Sequence, residues 1–239
     1  MANYLFKPAL AATLAVAVLL PLFTSLGLWQ LRRADEKTAL MRQREQRQSE
    51  PVLRADQAFT TPENRYRRVE LAGEWDSAHQ FLLDNQIFNQ QAGYQVLTPL
   101  RVDGLATAVL VNRGWVPVGP DRRRLPELSL SPAKVRLSGV IDQFPGVGFK
   151  LKGAEIPAPG WPAVVQLLDA ERLSERLGYR LLPYQVLLAP DAPEGYARDW
   201  KQASLNPEKN QGYALQWFAF ACVLSVLYVW FGIKPKPAD

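Results

Sequence analysis

The sequence predicts a membrane protein in which two transmembrane helices flank a mostly β (α+β) extramembrane domain, an antiparallel sheet or small barrel. Three observations carry this. No Asp, Glu, Lys or Arg occurs between Lys7 and Arg32, nor between Lys209 and Lys234, and each gap is 24 residues long. A spanning helix needs about 20 apolar residues. The 178 residues between them, 32–209, break into short β-like runs separated by turn residues.

The elements follow in chain order. Residues 1–7 form a short tail. Residues 8–31 form the first span, with the apolar run ALAATLAVAVLLPLFTSLGLW over 9–29. A cleavable signal peptide is the alternative, with Lys7 as its basic flank and Ser25-Leu26-Gly27 as its cleavage site. The run is longer than the usual signal core of roughly 7–15 residues and continues into Trp29-Gln30, which favours a span. Pro21 is expected to kink it. Residues 32–48 lack Gly and Pro and should extend the helix out of the bilayer. Residues 49–64 are a polar connector with Pro51 and Pro62.

Strand-like runs then cover 66–73, 79–84, 94–100, 106–115, 134–142, 163–169 and 181–189. One helix interrupts them: Asp169 is its N-cap, AERLSERL its body and Gly178 its stop. Prolines make 116–132 and 145–162 loops. The second span, 210–233, carries Tyr213, Trp217, Tyr228, Trp230 and Phe231 near its ends, as interfacial aromatic belts do. Residues 234–239 form the second tail. Charge does not settle orientation, because the positive-inside rule applies to loops of up to about 60 residues.

Composition excludes much chemistry. The chain has one cysteine, Cys222, and one histidine, His79. An intramolecular disulfide, a CxxCH haem attachment and a Cys/His zinc site are impossible, and no metal site is expected. A serine triad would need His79, which lies near Asp76 and Asp84 but has no nucleophile motif beside it. A surface or strand-edge histidine is the reading favoured. Net charge is +5, and basic residues crowd the first span, from Arg32 to Arg47. They suit anionic lipid headgroups or a solvated mixed-charge helix equally well. Nucleic acid is not an expected partner, since no basic face alternates with a stacking platform. Arg122-Arg123-Arg124 could grip an anion but reads more simply as a solvated loop tip.

Two constellations remain. In NRGWVP (112–117), a strand meets Asn112-Arg113-Gly114, where Gly114 would supply positive φ at a turn or bulge, and Trp115 follows. Trp29-Gln30-x-x-Arg33-x-x-x-Lys37 places Gln30, Arg33 and Lys37 on one helix face just outside the bilayer. On the second span, Tyr213, Gln216, Trp217 and Phe220 recur at i, i+3, i+4, i+7 and share a face.

Several of these pieces together resemble one family: GLWQLRRADEK, YRRVELAGEWD, GYQVLTPL, VLVNRGWVP and PEKNQGYALQWF. They are similar to the Surfeit locus protein family, in particular its bacterial members, over about residues 25–232. The resemblance implies both termini in the cytoplasm of a bacterium and the β-rich domain on the outer face of its plasma membrane. It implies a non-enzymatic assembly factor for a haem-copper (cytochrome c) oxidase, with oxidase subunits as partners and insertion of haem a into the catalytic subunit as the task. A haem carrier holding the cofactor between its spans, or a two-span membrane-anchored ligand-binding protein, are the alternatives.

Trp29, Gln30, Arg33 and Lys37 match the family's first-span motif. Asn112, Arg113, Gly114 and Trp115 match its central motif, and Tyr213 and Trp217 its second-span motif. With Asn210 and Gln216, the residues at the ends of the spans are the candidate haem- or partner-facing set. One departure stands out. Family members commonly carry a histidine, the proposed haem ligand, where this chain has Asn210. Asn is a poor iron ligand. Haem a is therefore a doubtful cofactor here: direct ligation is lost, haem is held by packing alone, a different oxidase is served, or Tyr213 substitutes.

Overall fold

A computed structural model describes residues 4–130, 134–146, 148, 152–200 and 205–235. Parts of the expected tails, of the two proline loops and of the approach to the second span therefore lie outside the described residues. The chain divides into two units, residues 1–43 with 201–239, and residues 44–200.

The first unit is built on two helices. Helix α1 runs Leu10–Ser49 without interruption, through Pro21 and on past the charged residues from Arg32, as the Gly- and Pro-free sequence requires. Helix α4 runs Pro207–Gly232. Its start follows local chemistry: the Asn206 side chain accepts from the Lys209 amide, and Pro207 occupies a position where no amide hydrogen is needed. Both helices are long and apolar enough to cross a membrane, and little of either apolar stretch is buried within the protein. At the other end of the pair, β1 (Tyr4–Phe6) and β10 (Ile233–Pro235) form an antiparallel ladder. The sequence reading had these residues only as tails. The Lys7 amide donates to Gly232 O, and Phe6 packs edge-on against Tyr228.

The second unit is a barrel. In order its strands are β2 (Leu53–Arg54), β3 (Arg68–Trp75), β4 (Phe81–Phe88), β5 (Gln91–Val102), β6 (Ala108–Pro117), β7 (Lys134–Gln143), β8 (Ala163–Val165) and β9 (Leu181–Leu188). A short helix α2 (Ala55–Ala58) and a 3-10 turn (Pro62–Asn64) precede β3. Helix α3 (Ala170–Leu177) precedes β9, with the Asp169 cap and left-handed Gly178 stop that the sequence predicts.

Five strands close on themselves: β3 pairs β7, β7 pairs β9, β9 pairs β6, β6 pairs β5, and β5 returns to β3. All these pairs are antiparallel except β6 with β9. Closure requires β3 to serve two neighbours. Gly73 permits it, because a Cβ there would collide with Arg101 O on β5. Val69, Leu71, Trp75, Leu100, Val109, Val111, Ile141 and Val186 fill the interior. Outside the barrel, β4 and β8 extend the sheet from β5, and Leu173 of α3 joins Phe81, Leu97 and Leu110 in a second core.

One expectation needs correction. The pairing was expected to stop at Asn112-Arg113-Gly114, yet β6 continues to Pro117. The strand absorbs the motif as a bulge: Val96 faces Gly114 while Leu97 faces Asn112, leaving Arg113 as the extra residue. Gly114, at φ +113°, lets the ladder resume.

Candidate functional site

The motif of β6 is a buried anchor. Arg113 is 1% exposed, and Thr98, Asn112, Gln80 and Gln185 around it are buried too. Its Nε donates to Glu194 O at 2.7 Å, Nη1 to Gln80 Oε1 at 3.0 Å and Thr98 Oγ1 at 3.4 Å, and Nη2 to Ser129 O at 3.3 Å. The Glu194 carboxylate lies 3.9 Å from Nη2, and the guanidinium stacks over Tyr196 at 5.0 Å. Burial lowers the Arg113 pKa, while Tyr196 and Glu194 pull it back up.

Backbone bonds continue the grip. The Tyr196 amide donates to Arg113 O at 2.7 Å, and the Trp115 amide to Ala197 O at 2.8 Å. At Gly114 a Cβ would lie 2.7 Å from Ala197 O, so only glycine lets residues 190–200 approach this closely. Asn112 ties β6 to its neighbours through Gln95 at 3.0 Å and Gln185 at 3.2 Å. The Trp115 indole donates to Gln86 O at 3.0 Å. These four residues hold two loops and three strands together. Arg113 spends its donors on fixed partners, which is the chemistry of a clasp.

The histidine has its own cluster. His79 Nδ1 lies 2.8 Å from Asp76, so the ionised carboxylate makes Nδ1 the donor. Tyr179 also donates to Asp76, at 2.6 Å, and Arg101 lies 3.9 Å away. Burial by itself would raise the Asp76 pKa. The bonds from Tyr179 and His79 and the charge of Arg101 outweigh it and hold the carboxyl below its ordinary 3.8. Burial and the Asp76 bond push the Tyr179 phenol well up. The other carboxylate weighed from sequence, Asp84, instead bonds the Asn85 amide and faces Arg122 at 3.4 Å. Arg122 is otherwise an exposed side chain on the turn.

The membrane-helix residues divide in two. Gln30, Lys37 and Asn210 come together: Asn210 Nδ2 donates to Gln30 Oε1 at 2.6 Å, and Lys37 Nζ donates to Asn210 Oδ1 at 2.8 Å. Trp217 packs on Phe23 with ring centroids 5.7 Å apart. Trp29, Arg33, Tyr213 and Gln216 are exposed. Arg33 was expected to share a face with Gln30 and Lys37. It pairs with Glu36 at 2.7 Å instead, because Gln30, buried Ala34 and Lys37 form the contact line and Arg33 falls on its flank. Tyr213 and Gln216 likewise stand outside the line that Trp217 follows.

Sequence reasoning missed Gln80, Thr98, Glu194, Tyr196 and Tyr179. Polar residues inside apolar β runs, such as Thr98 in YQVLTPL, were the available signal. Among the described residues, no group of three or more His, Cys, Asp or Glu could hold a metal ion.

The class of protein is thus a β-barrel domain carried with two helices able to span a membrane. The SURF1 family model matches residues 17–222, most of the chain, and the chain belongs to that family. Among curated proteins it is similar to Surfeit locus protein 1 of Xenopus tropicalis, 31% identical over 52% of this chain and 46% of that protein. It is also similar to the cytochrome oxidase assembly protein SHY1 of Saccharomyces cerevisiae, 32% identical over 44% of this chain and 28% of that one. Surfeit locus protein 1 of Arabidopsis thaliana is 32% identical over 38% and 30%. The matches span less than half the length of each of these relatives.

Proposed function

We propose that this protein is a non-enzymatic assembly factor for a haem-copper (cytochrome c) oxidase, acting when haem a enters the catalytic subunit. The observation that carries this reading is family membership over residues 17–222, together with the yeast relative named for oxidase assembly. The two spans set the protein beside a membrane-embedded client. The barrel is the domain it presents on the outer side of a bacterial plasma membrane. The action proposed is on the oxidase subunit, with haem a supplied to that subunit rather than carried by this chain.

The chemistry on the page supports a binding role. Arg113 is committed to fixed partners, and His79 has no serine, threonine or cysteine hydrogen-bonded to it. The test is complementation. Cells lacking the protein should assemble little oxidase, read from haem a absorbance and oxidase activity of their membranes. Wild type and His79→Ala should both restore it. Full assembly without the protein contradicts the role. Loss with His79→Ala at normal protein level returns an enzymatic reading.

A further inference from the structure

Along α1, Thr13, Phe23, Gly27, Gln30, Ala34 and Lys37 all fall on the line of partly or fully buried positions. From Phe23 onward their spacings are 4, 3, 4 and 3, the repeat of a left-handed helix seam. On α4, Asn210, Ala214, Trp217, Ala221 and Tyr228 follow the same rule. The two lines meet at three depths. Thr13 and Tyr228 hydroxyls are 3.0 Å apart at one end, and Lys37 and Asn210 bond at the other. Midway, Gly27 receives the Phe218 ring so closely that an added methyl would sit 2.6 Å from it. From Thr13 to Lys37 the helix rises about 36 Å, more than a hydrocarbon core of about 30 Å.

The amide of Asn210 is fully used. Its NH2 donates to Gln30, and its oxygen accepts from Lys37. None of the residues in this layer is a His, Cys or Met, and Tyr213 stands 44% exposed outside it. These residues do not fit an iron centre. A macrocycle would have to part the helices, breaking the Gly27–Phe218 contact and both bonds of Asn210.

We propose that Gln30, Asn210 and Lys37 form a register lock that closes an antiparallel two-helix seam, and that this chain holds no haem between its spans. A polar side chain in an otherwise apolar seam fixes alignment because a slipped register strands its amide. The small residues bring the backbones close, and the lock chooses which turn meets which.

The full-length protein in detergent tests both halves. Thr13→Cys with Tyr228→Cys, in a Cys222→Ser background, reports register at the far end through cross-linking by a short bis-maleimide. Adding Asn210→Leu, similar in size but without hydrogen bonds, should lower the yield about threefold, from a typical interhelical bond in a membrane. Unchanged yield overturns the lock. Haemin titration followed by absorbance reports the other half. Uptake by the wild type should be absent or indifferent to Asn210→Leu. Saturable uptake that Asn210→Leu abolishes overturns the exclusion. Neither readout uses an oxidase, so the inference stands or falls separately from the assembly role.

Discussion

Replacing Arg113 with Met keeps most of the aliphatic volume and removes the guanidinium. Four hydrogen bonds go with it, to Glu194 O, Gln80, Thr98 and Ser129 O. At about 1.5–3 kcal/mol per charge-assisted bond, their gross sum exceeds 6 kcal/mol. The net must be smaller, because Met also escapes the cost of burying a charge whose one carboxylate partner is 3.9 Å away. Acceptors on Gln80, Glu194 and Ser129 are then left without their donor in a buried site. Breaking a buried charged set of this kind costs about 3–5 kcal/mol. That is a large part of a typical domain stability of about 5–15 kcal/mol. For a domain of this size it lowers Tm by roughly 6–20 °C.

Thermal unfolding of the full-length protein in detergent, followed by near-ultraviolet circular dichroism, reads the shift. Hydrogen exchange gives the location: the Tyr196 and Trp115 amides, bonded to Arg113 O and Ala197 O, should lose protection first. Arg113→Lys keeps the charge but not the fork of donors and should recover less than half the loss. A Tm within about 2 °C of wild type for Arg113→Met, a shift under 1 kcal/mol, would refute the clasp.

Three further outcomes follow from the same geometry. Asp76 is held below 3.8 in the fold, so its contribution is present above that pH and lost as pH falls through the folded value. The stability gap between wild type and Tyr179→Phe, measured by denaturant titration, should therefore shrink at acid pH; a gap independent of pH contradicts the assignment. Asp169→Ala removes the acceptor for the Glu171 and Arg172 amides at the start of α3 and should cost about 1 kcal/mol in the same assay. Reporter fusions active only in the cytoplasm should work at Asp239 and fail within the barrel, and the reverse pattern overturns the proposed orientation.

Local chemistry made much of this molecule legible from sequence. The β runs at 66–73, 94–100, 106–115 and 134–142 all lie within or beside strands, since alternation and bounding turns are local. Asp169 and Gly178 mark α3 because capping is settled within a few residues. Gly114 was readable as a bulge for the same reason. Closure of the barrel was not: it depends on Gly73–Trp75 meeting Leu100–Val102, and on β9 lying parallel to β6, choices no single segment encodes.

The candidate sites divide the same way. Asp76 could be paired with His79 from three residues' distance, whereas Tyr179 lies 103 residues on. At the spans, aromatic and polar residues marked the right ends. Helix spacing from Gln30 misassigned Arg33, because which side of a helix is buried depends on the partner helix. The small residues Gly27, Ala34, Ala214 and Ala221 carried that information.

The most direct test of the central claim is to capture the tagged protein from membranes during oxidase synthesis and identify what comes with it. The account predicts the catalytic oxidase subunit in an immature form, poor in haem a, and released once the finished oxidase forms. Capture of no oxidase subunit, or of the mature complex and the immature subunit equally, would contradict it.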